Sequence, residues 1–215
     1  FYVPGNKMDE LPKIHNAFLL VENGIIIDFG NMENIPKKLE NTEVVDLSNS
    51  FVIPTWCDAH THSVFAGNRS NEYLMRLQGL TYKQVADGGG GILKTTQEIK
   101  NISEEELYSI SLKRIIKMIQ NGSGCIEIKS GYGLTYESEL KILSVIKKLK
   151  DNLPIEIKST FLGAHAYPKE LTKKEYLNLI LNKMIPDFTN KKLVDYVDIF
   201  CEKGYFGVSD SEKII

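Results

Sequence analysis

Apolar and polar positions follow two different spacings along this chain of 215 residues, with a change near position 50. In the first part, two apolar runs at 17–21 and 25–29 flank an Asn-Gly pair at 23–24. Asn-Gly supplies the positive φ angles of a tight turn, so the pattern predicts a β-hairpin. A further short strand is predicted at 43–47, and we interpret residues 1–50 as part of a small β domain.

From residue 51 onward, the spacing predicts strands that alternate with amphipathic helices. The predicted strands begin with the apolar run 51–53 and continue at 125–129, 155–162 and 196–200. Apolar residues three and four positions apart predict the helices between them, the third of which ends before Pro186. We interpret residues 51–215 as the first four βα units of a (β/α)₈ barrel, that is, its amino-terminal half. An open doubly wound sheet is the alternative.

Composition and charge narrow the functional class. The net charge is −2 and the basic residues form no cluster, so we expect neither a nucleic-acid partner nor a membrane surface. Three scattered cysteines, Cys57, Cys125 and Cys201, predict reduced thiols in a cytoplasmic protein. The apolar runs are too short for a membrane span, and no signal peptide is predicted. Because the sequence starts at Phe1 and stops at the opening of a predicted helix, we expect both ends to be cut.

Two histidines at the end of the first predicted barrel strand are the candidate metal ligands. His60 and His62 are two residues apart, and side chains at i and i+2 of a strand lie on one face. Two neighbouring imidazoles can bind one transition-metal ion such as zinc or iron. Asp58 has the same parity and is a candidate to orient one of the rings. Histidines that only pack or form hydrogen bonds are the alternative.

Other polar side chains follow the remaining predicted strands. Arg69, Tyr132 and His165 come after the first, second and third strands. Loops after parallel strands open at one edge of the sheet, so these side chains could converge on a pocket. Arg69 could bind a carboxylate, and a salt bridge at the rim is the alternative for it. His165 could donate to a carbonyl or transfer a proton, and a purely structural role is the alternative for it. Glu127 and Lys129 share a face and predict a polar layer inside the barrel.

Four longer motifs carry a resemblance to a known family. They are residues 58–69 (DAHTHSVFAGNR), 89–93 (GGGIL), 127–134 (EIKSGYGL) and 161–165 (FLGAH). The first motif resembles the metal-binding motif of the amidohydrolase superfamily. All four motifs, in this order, resemble the imidazolonepropionase family within that superfamily. The resemblance implies a metal-dependent (β/α)₈ barrel of the amidohydrolase type, with a small β-sandwich made from both chain ends.

The resemblance also implies roles for individual residues. His60 and His62 would bind one divalent ion, either zinc or iron, and further ligands would come from later barrel strands. Arg69 would bind the propionate carboxylate of the substrate. Tyr132 and His165 would contact the substrate, and His165 would also act as a catalytic residue.

By the same resemblance, the expected reaction is hydrolysis of a ring C–N bond. The substrate would be 4-imidazolone-5-propanoate, the product N-formimino-L-glutamate, and the attacking group a metal-activated water. Tyr82 would help to line the substrate pocket. Apart from the resemblance, the open sheet edges of a half-barrel favour self-association, so we expect a homodimer. Another cyclic amidohydrolase or a deaminase of the same superfamily is one alternative. An inactive half-barrel or a binding module is the other.

Overall fold

A computed structural model of the chain describes residues 5–7, 12–37, 41–81, 84 and 90–215. Tyr82 and the glycines at 88–89 lie outside the described residues. The chain divides into two compact units, residues 1–52 and 53–215.

The first unit contains a two-stranded antiparallel sheet. Strand β1 (Ala17–Glu22) pairs with β2 (Ile25–Asn31) across the predicted Asn-Gly turn. Asn23 and Gly24 have φ angles of 51° and 78°, the left-handed geometry that this turn requires, so the hairpin is confirmed. The strand predicted at 43–47 is wrong, because none of the described strands pairs with that segment. An apolar pattern forms a strand only where a partner accepts and donates its backbone hydrogen bonds.

Parallel strands make the sheet of the second unit. They are β3 (Trp56–Thr61), β4 (Ser123–Lys129), β5 (Glu156–Ala164) and β6 (Tyr196–Ile199). Each strand pairs in parallel with the next one along the chain, in the order β3-β4-β5-β6. The described strands therefore lack the reversal of order that defines a doubly wound sheet. This arrangement is compatible with part of a (β/α)₈ barrel.

Helices connect and follow these strands. Their bounds are α1 (Ser70–Leu77), α2 (Ile92–Asn101), α3 (Glu104–Gln120), α4 (Tyr136–Asn152), α5 (Lys173–Leu179), α6 (Ile185–Asn190) and α7 (Val208–Ile214). The Ser103 hydroxyl accepts a hydrogen bond from the Glu106 amide at 3.2 Å and so caps the start of α3. Among the described residues, no helix is both long enough and apolar enough to cross a membrane.

The apolar face of the parallel sheet is buried against the helices. In β4, Ile126 and Ile128 are fully buried, and Glu127 and Lys129 alternate with them on the opposite face. Helix α4 contributes a fully buried stripe at helical spacing, namely Ile142, Val145, Ile146 and Leu149. This apolar stripe belongs to the same buried core as Ile126 and Ile128, which leaves the other face of the sheet for polar side chains.

The start of the first barrel strand differs from the prediction. The apolar run 51–53 does not open the strand, because these residues are exposed and β3 begins only at Trp56. Pro54 explains the difference, since its nitrogen cannot donate to a strand ladder. The backbone amide of Trp56, at the start of β3, donates a hydrogen bond to the carbonyl oxygen of Gly122 at 2.9 Å.

The third predicted helix does not end before Pro186. The chain continues from α5 through a π-helical turn (Ile180–Met184) directly into α6. This wider turn lets the Ile185 amide donate to the carbonyl of Ile180, five residues earlier. Pro186 then lies in the first turn of α6, where a helix needs no amide donor, so the proline is tolerated.

Candidate active site

Aromatic rings from three strands meet at the carboxyl edge of the parallel sheet. His60 lies in β3 and His62 follows it, with 5.6 Å between their ring centroids. His62 stacks on His165, which follows β5, with 5.2 Å between centroids and 20° between the ring planes. The ring of Tyr132, in the loop after β4, lies 5.0 Å from that of His62 and 5.5 Å from that of His165. The structure therefore brings together four residues that the sequence indicates as candidates.

His165 is oriented by a hydrogen bond to the neighbouring loop. Its Nδ1 atom lies 3.2 Å from the carbonyl oxygen of Gly131. A carbonyl oxygen can only accept, so Nδ1 carries the proton and Nε2 of the neutral ring is an acceptor. Burial lowers the pKa of His165, the hydrogen bond to Gly131 opposes this shift, and the charge of Arg69 adds to it. His165 therefore presents an acceptor nitrogen at neutral pH.

His62 has the properties of a metal ligand. Burial, together with the charges of His165, His60 and Lys129, lowers the pKa of His62 to about 4. The ring is therefore neutral at pH 7, which is the form in which imidazole binds metals. Its buried Nδ1 atom has no hydrogen-bond partner in the structure. A buried polar atom without a partner is one that a bound ligand could satisfy.

The two neighbouring histidines do not make a complete metal site. In the part of the chain that the structure describes, no group of three or more His, Cys, Asp or Glu side chains is placed to hold a metal ion. Catalytic zinc usually has three protein ligands. His60 and His62 therefore fit a metal ion in combination with at least one further ligand.

The remaining predicted site residues are not part of this cluster of four rings. Arg69 is exposed at the start of α1, where its charge lowers the pKa of His165. Asp58 accepts a long hydrogen bond, 3.4 Å, from the backbone amide of His60 and not from an imidazole ring. Tyr82 lies outside the described residues, so its role in the pocket stays a prediction.

The polar layer expected from Glu127 and Lys129 is larger than the sequence indicates. The Lys129 ammonium contacts Glu127 Oε1 at 2.6 Å and Asp198 Oδ2 at 2.9 Å. The Thr160 hydroxyl donates to the same Glu127 carboxylate. Burial lowers the pKa of Lys129, but the hydrogen bonds and charges of the two carboxylates outweigh it and raise the pKa. The ammonium is therefore charged, and this ion cluster connects β4, β5 and β6.

Two helix residues support the site although the sequence does not single them out. Arg114 of α3 donates to the carbonyl oxygens of Ser63 at 3.2 Å and Phe65 at 2.6 Å, in the loop after β3. Glu139 of α4 is fully buried and accepts amides of the loop after β4. A signal was present for Glu139, because it lies three residues before Ile142 on the apolar side of the helix.

The chain is similar in sequence to curated proteins along almost its whole length. No protein-family model matches it. Imidazolonepropionases of Flavobacterium psychrophilum and Flavobacterium johnsoniae are 49% and 50% identical over 215 residues, which is 99% of this chain and 52% of each relative. The imidazolonepropionase of Clostridium tetani is 42% identical over 98% of this chain and 51% of the relative. The chain is a homologue of the imidazolonepropionases.

The imidazolonepropionase homology confirms the resemblance indicated by the four motifs. It covers 99% of this chain and therefore spans the rim that carries His60, His62, Tyr132 and His165. The chain spans about half the length of the curated relatives it matches.

The low pKa of His62 generates a pH prediction for the metal-free protein. A histidine with a lowered pKa stabilises the fold fully above its unfolded value of 6.5 and progressively less as pH falls toward about 4. We therefore expect the melting temperature of the complete protein to fall with pH across this window. His62→Gln should make that dependence shallower, whereas the exposed His15 provides the control His15→Gln. Thermal unfolding at several pH values measures the slopes, and equal slopes for His62→Gln and the wild type would contradict the argument.

The close packing of Gly131 generates a stability prediction. Gly131 has a φ of 103°, and an added Cβ atom would lie 2.5 Å from the Leu162 carbonyl oxygen and 3.1 Å from His165 Cβ. Gly204 has a φ of 92°, but no atom lies within 4 Å of its added Cβ. Gly204→Ala should therefore cost only backbone strain, about 1–2 kcal/mol. Gly131→Ala should cost about 2–4 kcal/mol, because overpacking adds to strain.

Denaturant unfolding of the two glycine variants of the complete protein measures these free energies. Equal costs for Gly131→Ala and Gly204→Ala would mean that the strand ends are not closely packed around Gly131.

Proposed function

We propose that the complete protein is an imidazolonepropionase, which hydrolyses 4-imidazolone-5-propanoate to N-formimino-L-glutamate. One observation carries the proposal: His60, His62, Tyr132 and His165 converge at one edge of the sheet, in a chain 49–50% identical to curated imidazolonepropionases. The reaction adds one water molecule across a ring C–N bond. The site therefore has to hold a ring with an anionic side chain and to activate water.

The same proposal includes the (β/α)₈ barrel of the amidohydrolase type. The sequential parallel order of β3 to β6, with the candidate site at their carboxyl edge, supports it. The β1–β2 hairpin would belong to the small β-sandwich that accompanies the barrel. The remaining βα units would come from the rest of the complete protein, since this chain spans about half the length of its relatives.

His60 and His62 would hold one divalent ion, either zinc or iron. Their neighbouring rings and the unpartnered Nδ1 atom of His62 support this assignment. When bound, the ion supplies Lewis acidity and lowers the pKa of water enough to make hydroxide available at neutral pH. Because the pKa of His62 is about 4, that ring need not lose a proton before it acts as a ligand.

Three side chains would hold the substrate beside the ion. Arg69, exposed at the rim, would bind the propionate carboxylate through its planar guanidinium. Tyr132 would contact the imidazolone ring. Because Nδ1 of His165 donates to Gly131, its Nε2 atom would accept a hydrogen bond or a proton and would not donate to a carbonyl. Of the two roles considered for His165, this geometry favours proton transfer.

The cellular setting is part of the proposal. Cys57, Cys125 and Cys201 are free thiols, which supports a cytoplasmic, reducing compartment. The homodimer is proposed because the open sheet edges of a half-barrel favour self-association.

Turnover of a substrate panel by the metal-loaded complete protein tests the function. We expect 4-imidazolone-5-propanoate to be hydrolysed in preference to dihydroorotate, a hydantoin and aminopurines. Preference for one of these rings would instead favour another cyclic amidohydrolase or a deaminase. No turnover of any of them, with the metal bound, would favour an inactive protein or a binding module.

Replacing Arg69 tests its assigned contact with the substrate carboxylate. Arg69→Ala should raise KM about 10- to 100-fold, because a hydrogen bond between charged groups contributes about 1.5–3 kcal/mol. Arg76→Ala is the matched control, since Arg76 is also exposed and lies in the last turn of the same helix. Steady-state kinetics measure both variants, and an unchanged KM in Arg69→Ala would remove the role proposed for Arg69.

A further inference from the structure

A carboxylate without a role in the proposed reaction is buried behind the rim. Glu139, in the first turn of α4, has no exposed surface. Its Oε2 atom accepts a hydrogen bond from the Gly131 amide at 3.0 Å. Its Oε1 atom accepts the amides of Gly133 at 2.6 Å and Leu134 at 3.1 Å. One side chain therefore satisfies three amides of the loop that carries Tyr132.

This loop contains two residues with a positive φ, one of which is not a glycine. Gly131 has a φ of 103° and Leu134 a φ of 54°, and the left-handed region is unfavourable for a residue with a side chain. An added Cβ at Gly133 would lie 2.5 Å from the Glu139 amide nitrogen, so the loop is in direct contact with α4. The bends aim several amides at one point, which is the arrangement that binds an anion.

The ionised form of Glu139 matches this set of donors. Burial raises the pKa of Glu139 above its usual value, and hydrogen bonds from Ser130, Leu134, Gly133 and Gly131 oppose that shift by favouring the ionised form. A carboxylate offers enough lone pairs to accept all of these donors. Without it, the three loop amides would be buried with no acceptor, which is costly.

The same loop contacts the candidate active site. The Tyr132 ring lies 5.0 Å from His62 and 5.5 Å from His165. Gly131, whose amide is bound by Glu139, also supplies the carbonyl oxygen that accepts the His165 Nδ1 proton. The position of this loop therefore affects the contact between Tyr132 and His62 and also the orientation of the His165 ring.

We propose that Glu139 is a positioning residue whose buried carboxylate holds residues 131–134 in the shape that places Tyr132 and His165 for the substrate. Because Glu139 is fully buried, it acts through the loop and does not contact the substrate. The inference rests on the proposed function, since this placement matters only if Tyr132 and His165 contact the substrate.

Glu139→Gln is the variant that tests the proposal, because it keeps the size of the side chain and replaces one acceptor by an NH₂ group. Whichever way the new amide is turned, at least one loop N–H faces that NH₂ group. In the metal-loaded complete protein we expect kcat/KM per folded molecule to fall about 10- to 100-fold. Steady-state kinetics, normalised to the folded fraction from circular dichroism, measure this fall. Glu137→Gln, exposed in the same helical turn, is the matched control and should behave as the wild type.

Amide hydrogen exchange distinguishes positioning from a merely structural role. In Glu139→Gln, peptides that cover residues 130–134 should exchange faster, while the remaining peptides keep their wild-type protection. A structural role alone would lower the melting temperature and the folded fraction, but the folded molecules would retain the wild-type kcat and KM. That result would overturn the proposal.

Exchange in the wild type keeps the test decisive even if the variant does not fold. The amides of Gly131, Gly133 and Leu134 should exchange slowly, as buried hydrogen-bonded groups do. If these three amides exchange as fast as amides without a hydrogen bond, the proposal is overturned. A wild-type protein that does not turn over 4-imidazolone-5-propanoate would instead overturn the proposed function, while exchange would still show whether Glu139 holds the loop.

Discussion

The Lys129 ammonium holds together the part of the structure on which the rim depends. It lies between the carboxylates of Glu127 and Asp198, and the Thr160 hydroxyl donates to Glu127, so β4, β5 and β6 share one cluster. A buried ammonium without partners would be costly, which makes the register that supplies both carboxylates the favourable one. With three parallel strands fixed in that register, their following loops open at one edge of the sheet.

Local patterns in the sequence predict much of this architecture. The Asn23-Gly24 pair predicts the hairpin because positive φ angles are needed there, and Ser103 predicts the start of α3 because its hydroxyl caps the helix. The two-residue spacing of His60 and His62 predicts neighbouring rings at a strand end. These features depend on residues close together in sequence, for which spacing and chemistry determine the geometry.

Features that depend on distant contacts are not predictable in this way. The contact between Lys129 and Asp198 joins residues 69 positions apart. The role of Glu139 cannot be read from its helix alone, because it depends on hydrogen bonds from the loop after β4. Pro186 predicts a helix end, and only the preceding π-helical turn lets the chain continue through it. The first strand of the sheet begins after Pro54, at Trp56, and does not include the apolar run that precedes the proline.

The most direct measurement of the central claim is anomalous X-ray scattering from crystals of the complete, active protein, recorded at the absorption edges of zinc and iron. We predict one metal peak that is bound by a ring nitrogen of His60 and a ring nitrogen of His62, next to Tyr132 and His165. Active protein whose metal lies away from these two imidazoles, or that contains no metal, would contradict it.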